Sequence, residues 1–413
     1  MGDLIGKIFK LGLLSTLSGS IGALAAQVDA RAAASPVPSD VFSLYASAGQ
    51  THDSNLFRLP GGVDPTPLVG KADRSDDIRT VNAGFRIEKP ISQQRFKLDA
   101  SVTENTYGNH GFLDHDTYQY DGAWYWHLTP RISGVIGVSR TEALVGFDNL
   151  NVYDQKIRVT TEKRFEANFW LASNWHALAG FLLTKQTTSR SFQQERDLEQ
   201  RGWNVGARYD RGAGRTLEFR YIERDGKFND RQIDPVAYID DAFKQRDYEA
   251  RLAYAVSDRT RVEGTVAFVD RSHPHVPQRD FDGWRGKAGL SWMATGKIAI
   301  RADYERRIQS WQDVSSSYYV SETVTVGPQW SVTAKQALGA SAVFGKTRYE
   351  GAPPTWTGPL REDKSRALAF NWAWEPHRAV SVNATVRREI RDSSLDNHDF
   401  ADTTVGLNLR LLF

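Results

Sequence analysis

The chain has no cysteine and only two methionines in 413 residues. It therefore has no disulfide framework and no Cys cluster, and its stability must come from the fold itself. Beyond its first 25 residues it also lacks any apolar run near the ~18 residues that a membrane-spanning helix needs. Histidine is scarce, with nine in all. His273 and His275 make a His-x-His pair in an expected loop, but no third ligand stands at a fixed spacing, so no metal is assigned. No Ser–His–acid set can be assembled, and there is no phosphate loop and no nucleic-acid motif. The chain reads as a non-enzyme without a cofactor.

Neither sign of charge dominates: 52 Lys and Arg stand against 50 Asp and Glu, for a net charge of +2. Charged residues make up 25% of the chain and the mean hydropathy is −0.49. Those values exclude a helical membrane protein. They do not exclude a barrel, whose lumen-facing half is polar.

At the start, Lys7 and Lys10 precede a small-residue apolar run from Leu11 to Ala25, which ends in Ala23-Leu24-Ala25. This is the pattern of a secretory signal peptide over 1–25. Residues 26–40 read as a short periplasmic segment, and 41–413 as an outer-membrane β-barrel of a Gram-negative cell.

The barrel is legible from the far end. Val405, Leu407, Leu409, Leu411 and Phe413 alternate with Gly406, Asn408, Arg410 and Leu412. Such a period-2 pattern puts one face in lipid and the other in a polar lumen. The terminal Phe resembles the assembly signal of these barrels. The same alternation recurs from Val41 onward in about eighteen segments, an even number as single-chain barrels require. Connections alternate in length. Short turns carry Pro90, Pro130, Gly212, Gly214, Asp258, Gly296 and Pro376, whereas long loops lie near 50–76, 143–154, 227–244, 272–281 and 350–362. The fold class is thus all-β: a transmembrane antiparallel up-and-down barrel with short periplasmic turns and long extracellular loops. A soluble propeller would repeat four-stranded blades at a fixed period, whereas the unit here is a two-stranded hairpin.

Aromatics make up 11% of the chain, with 12 Trp. Trp126, Trp175, Tyr209, Tyr254, Trp292 and Trp374 are placed to form a periplasmic girdle. Tyr118, Trp203, Tyr248, Trp284, Tyr304 and Tyr318 would form the outer one.

The register assigns a lumen path of Arg86, Lys97, Tyr125, Arg164, Trp170, Arg208, Arg220, Arg251, Arg285, Lys287, Arg301 and Arg387. A surplus of fixed cations in a low-dielectric tube concentrates anions. The alternative for each of them is a cross-strand pair with a carboxylate, which only stiffens the wall. Tyr125 and Trp170 could stack on sugar rings or pack in the wall. The loop from Asn229 to Phe243 could constrict the pore or lie on the surface.

Phe42-Ser43-Leu44-Tyr45 precedes Thr51-His52-Asp53-Ser54-Asn55-Leu56-Phe57-Arg58-Leu59-Pro60-Gly61-Gly62. This stretch resembles the amino-terminal signature of the EpsL family, exosortase-associated outer-membrane barrels of a porin-2-like type that are encoded with exopolysaccharide systems. The D-x-N-L-F-R-L-P string carries the resemblance; elsewhere only the barrel pattern and the terminal Phe match. It implies carriage of a polysaccharide across the outer membrane. The implied partners are the extracellular polymer, outer-membrane lipid and periplasmic parts of an export machinery. It brings no binding residues. Asp53, Asn55 and Arg58 are expected to fix their loop through Asx-type hydrogen bonds. Two other functions share the fold: a diffusion porin for small anionic solutes or oligosaccharides, and a non-conducting scaffold for an export complex.

Overall fold

The computed structural model describes residues 41–148, 153–189, 197–229, 231–311, 313 and 315–413. The expected signal peptide and the segment up to residue 40 lie outside the described residues.

Eighteen antiparallel strands form one sheet. The first six are Phe42–Asp53 (β1), Asp76–Ile91 (β2), Gln94–Tyr107 (β3), His115–Thr129 (β4), Ile132–Leu144 (β5) and Ile157–Ala172 (β6). Next come Trp175–Thr188 (β7), Leu198–Asp210 (β8), Thr216–Phe228 (β9), Ala242–Ser257 (β10), Thr260–Ser272 (β11) and Phe281–Met293 (β12). The last six are Ile298–Ser310 (β13), Tyr318–Thr333 (β14), Gln336–Glu350 (β15), Glu362–His377 (β16), Val380–Ser393 (β17) and Phe400–Leu412 (β18). Each strand pairs with its sequence neighbours, and β1 pairs with β18, so the sheet closes on itself and leaves no edge. The first long loop, expected from residue 50, begins later, since β1 runs on to Asp53.

Alternation is continuous around the ring. Val81, Phe165, Phe181, Phe268, Val324, Phe344, Phe370 and Leu407 share the outward face, and each is more than 40% exposed. A barrel wall has little interior, so these side chains are stabilised by hydrocarbon and not by a protein core. The opposite face carries the polar residues.

The aromatic girdles form with one correction. Trp203, Tyr221 and Tyr248 pack in sequence across β8–β10, tilted to one another, with ring centroids 5.4 and 5.3 Å apart, and Trp175 lies 5.1 Å from Tyr209 at the other rim. Trp126, however, is only 7% exposed. Its ring lies across Gly134 on β5, where a Cβ would sit 2.3 Å from the indole. The missing side chain makes a slot, and the indole fills it. Parity along β4 does not reveal a glycine on the neighbouring strand.

The buried apolar residues concentrate at the loop end. Leu56, Phe57 and Leu59 of the β1–β2 loop pack with Leu113 and Phe147 from the next two long loops. Ile78 and Tyr107, on the inner face of β2 and β3, pack against this cluster, so these loops fold over the mouth.

Candidate functional site: the barrel lumen

Successive register pairs place all twelve expected path residues on one face, the inner one. What they contact there differs from one to the next.

An ion-pair ladder spans the inner face from β6 to β12. Arg220 touches Glu166 at 3.3 Å and Glu218 at 2.5 Å. Arg251 lies 3.6 Å from Glu218 and 2.5 Å from Glu249. Arg285 is 2.7 Å from Glu249 and 3.1 Å from Asp247, which also binds Arg224 at 2.5 Å. Bases and acids alternate along this chain, so it is electrically balanced. Arg301 holds Asp303 at 2.6 Å, and Arg387 holds Glu389 at 2.7 Å. In four of these nine pairs base and acid are two residues apart on one strand, where the pleat brings both side chains to the same face; the other five join different strands.

The other path residues fall into three kinds. Arg86 is 2.7 Å from Asp99, which also accepts the Tyr45 hydroxyl at 2.9 Å. Lys97 and Arg164 share one carboxylate, Asp121, each at 3.8 Å. Arg208 donates only to the Asn168 amide oxygen at 3.1 Å, and Lys287 has no ion-pair or hydrogen-bond partner among the described residues. Surplus positive charge therefore resides at Lys287, Arg208 and the Lys97–Arg164 couple. Pairing neutralises the larger excess that a count of side chains suggests.

Each candidate stacking ring already carries a cation. The Arg95 guanidinium sits 4.2 Å from the Tyr125 centroid. Trp170, at the periplasmic rim, lies 5.4 Å from Arg131 and donates its indole N–H to the Ser173 carbonyl at 2.8 Å. Each cation occupies a contact that a sugar ring would also need.

The wall facing the ladder is different in kind. On β14–β18 the inner positions include Thr323, Thr325, Ser341, Asn371, Thr385 and Asn408. Hydroxyls and amides donate and accept without fixed charge. The lumen thus has an ionic wall and a wall on which neutral hydroxyls and amides stand beside the Arg387–Glu389 pair.

The mouth is crossed by a loop that the sequence reading did not single out. The Asp148 carbonyl, in the β5–β6 loop, accepts a hydrogen bond of 2.5 Å from Arg391 on β17. These strands are six places apart around the ring, by way of β4, β3, β2, β1 and β18. The β9–β10 loop instead braces its neighbours. Arg279, 1% exposed, donates to the carbonyls of Tyr238, Ser316 and Asp313 at 2.9, 2.5 and 2.7 Å, tying three loops together.

Asp240, Asp241 and His275 bring possible ligand atoms within 4.8 Å of one another. The Asp240 oxygens, however, accept the His275, Val276 and Ala242 amides at 2.8, 3.0 and 3.1 Å, and His275 Nδ1 lies 3.0 Å away. The His275 hydrogen bond to Asp240 raises the imidazole pKa. This is a hydrogen-bonded brace with its carboxylate fully engaged.

The Asp53-x-Asn55 motif is structural. Asn55 N donates to Asp53 Oδ1 at 2.9 Å, the expected Asx geometry. Arg58 reaches Asp53 of β1 at 2.9 Å and Asp402 of β18 at 3.3 Å. Asn55 Nδ2 also donates to the Ala401 carbonyl at 3.1 Å. The motif clasps the β1–β18 seam at the loop end. At the other end Leu44 and Phe413 exchange two backbone hydrogen bonds of 3.1 and 2.8 Å.

Solved structures share this fold. OpdK from Pseudomonas aeruginosa, crystallised with vanillate, is 11% identical with a TM-score of 0.53, over 90% of this chain and 99% of that one. OccK9 (OpdG) from the same organism is 12% identical with a TM-score of 0.53, over 90% and 98%. OccAB3 from Acinetobacter baumannii is 8% identical with a TM-score of 0.50, over 90% and 99%. No curated protein matches the sequence. Residues 193–413 match the family model described as "Putative beta-barrel porin 2", which covers more than half of the chain. The chain is an outer-membrane β-barrel porin and belongs to that family.

Proposed function

We propose that this porin carries an acidic polysaccharide through its lumen to the cell exterior, as the outer-membrane step of exopolysaccharide production. The two-walled lumen is the observation that carries this reading. A polymer with carboxylates and hydroxyls needs cations on one side and neutral donors and acceptors on the other. Lys287, Arg208 and the Lys97–Arg164 couple offer charge without holding any carboxylate tightly. Thr323, Thr325, Asn371 and Asn408 match sugar hydroxyls. Transport needs many weak contacts in series, since one tight site would trap the chain. The D-x-N-L-F-R-L-P resemblance supports the same pathway, although its residues hold the seam and do not line the path. A periplasmic export assembly would feed the short-turn end.

Deleting the gene tests the reading. Loss of surface polymer with unchanged uptake of small anions is expected; normal polymer with impaired uptake overturns it.

A second reading, uptake of small anions, is favoured by the segment that bridges Asp148 and Arg391. A strap across the mouth limits cross-section, and the similar OpdK barrel was crystallised with vanillate, a small aromatic carboxylate. Partition of uronic-acid oligomers of increasing length into the open channel separates the two readings. Blockade that lengthens with chain length belongs to threading; exclusion beyond a few sugars belongs to the small-solute channel.

A further inference from the structure

The outward wall of β14–β17 departs from the rest of the lipid-facing surface in two places, one above the other. Between mid-wall and the periplasmic girdle there is an apolar groove of about 410 Å³. Its floor is small, with Ala340 and Ala384, and its sides are Trp330, Leu338, Phe370 and Trp372. Trp372 stacks on Trp374 with centroids 5.8 Å apart, which steadies one side.

Toward the loops, the same outward face carries Lys346, Lys364, Arg366 and Arg388. Lys346 and Lys364 are direct partners in the register, so two like charges face each other across one rung. Such a rung is destabilising unless an anion lies on it. Glu362 supplies one carboxylate, 2.9 Å from Lys346 and 3.9 Å from Lys364. Arg366 meets Asp392 only at 3.7 Å, with both side chains more than 60% exposed. Arg388 donates to the Thr403 hydroxyl at 3.0 Å and has no carboxylate partner among the described residues. Four cations thus stand against two carboxylates at the upper border of the apolar band.

The two features share one scale. Arg366 to Phe370, and Arg388 to Ala384, are each four residues, or about 13 Å along a strand. With strands tilted by about 40°, that is roughly 10 Å of depth, about a third of the ~30 Å hydrocarbon layer. A lipid whose phosphate rests on the cations would bring the end of an acyl chain to the groove. The cluster lies on the extracellular side, so the lipid belongs to the outer leaflet.

We infer that this wall is a binding site for a phosphorylated outer-leaflet glycolipid of the lipid A class. Its phosphate lies over Lys364, Arg366 and Arg388, and one acyl chain lies in the Ala340–Ala384 groove. The inference does not depend on what passes through the lumen.

The test uses the full-length protein in nanodiscs containing bis-phosphorylated lipid A, with lipid retained after detergent exchange counted by native mass spectrometry. Dephosphorylated lipid A and phosphatidylglycerol form separate arms. Retention of bis-phosphorylated lipid A at least tenfold above either is expected. It should fall at least tenfold in a variant combining K364Q, R366Q and R388Q. A384F, which fills the groove and leaves the cations in place, should lower retention several-fold. The exposed positions of the triple variant leave folding intact, which the heat-shift of the barrel on gels verifies. Equal retention by the triple variant overturns the site. Equal retention of phosphatidylglycerol overturns its assignment to the glycolipid. Dimers or trimers that A384F abolishes, without bound lipid, would make the wall a contact between copies and overturn it as well.

Discussion

Arg391 donates to the carbonyl of Asp148, a residue 243 positions earlier, and so straps the β5–β6 loop to a strand one third of the way round the mouth. Its guanidinium also donates to the His398 carbonyl at 2.9 Å and lies 4.5 Å from the Phe400 ring, so the anchor is itself held in place. Replacing Arg391 by Gln removes the reach and the charge. The loop then swings clear, and single-channel conductance should rise roughly 1.5-fold, with noisier open-state current. Planar-bilayer recording checks this. Unchanged conductance and noise would mean that the strap does not lie in the ion path.

Selectivity should follow the unpaired cations more than the ladder. K287Q removes a cation that makes no ion pair, since its cross-strand neighbour Glu305 is held by Arg307, and the anion-to-cation permeability ratio should fall about twofold. Reversal potentials across a salt gradient measure it. R301Q, which breaks a pair and frees Asp303, should leave the barrel less stable. A K287Q ratio equal to the parent's would remove Lys287 from the path.

The seam clasp predicts a large stability effect from one residue. R58A leaves the carboxylates of Asp53 and Asp402, both almost fully buried, without their shared cation. Breaking a buried pair on one side costs about 3 kcal/mol or more. Urea unfolding in micelles and the heat-shift temperature on gels should both show it. A loss near zero would mean that water reaches the clasp.

Acid should loosen the β11–β12 loop. Burial, reinforced by Arg271, pulls the His273 imidazole down to about 3 from its ordinary 6.5. Between those values the opened loop binds a proton that the closed loop cannot. The closed form is fully favoured above 6.5 and loses stability as pH falls from there toward 3. His275 has the opposite sign, since its hydrogen bond to Asp240 raises its pKa and favours the closed loop at low pH. It lies at the exposed surface, so its effect is the smaller one. Hydrogen exchange at residues 273–280 should be faster at pH 5 than at pH 7 once corrected for intrinsic rates. H273Q should abolish the difference.

Gly134 is a steric prediction. A Cβ there would lie 2.1 Å from the Glu166 carbonyl oxygen and 2.3 Å from the Trp126 ring. G134V should cost roughly 1–3 kcal/mol through displaced neighbours, read as a lower unfolding midpoint. Fluorescence of Trp126 should shift to the red as its slot closes. An unshifted spectrum would contradict the packing.

Strand number, the facing of each strand and the sorting of turns from loops were legible in the sequence, because a wall one residue thick writes its two environments as a period of two. Tyr118 and Trp284 could be placed at the outer rim on that ground alone. Trp126 could not, since its burial depends on Gly134 of the next strand. The lumen charges share the inner face, and pairing across strands was the alternative expected for each; the pairs within one strand were not anticipated. Glu218-x-Arg220, Glu249-x-Arg251 and Arg301-x-Asp303 stand in the sequence as same-face pairs, and their spacing was the available signal. The strap was not legible at all. A contact between Asp148 and Arg391 leaves no local periodicity, and loop length alone directed attention to 229–243.

The fastening of β1 to β18 bears on the route of any cargo. A cylinder that parts along one line could release a solute sideways among the acyl chains. Here that line is riveted near one rim by Arg58 between two carboxylates, and stitched near the other by the reciprocal amides of Leu44 and Phe413. A seam closed at both rims favours axial passage, from one aqueous compartment to the other, over release into the membrane along that line.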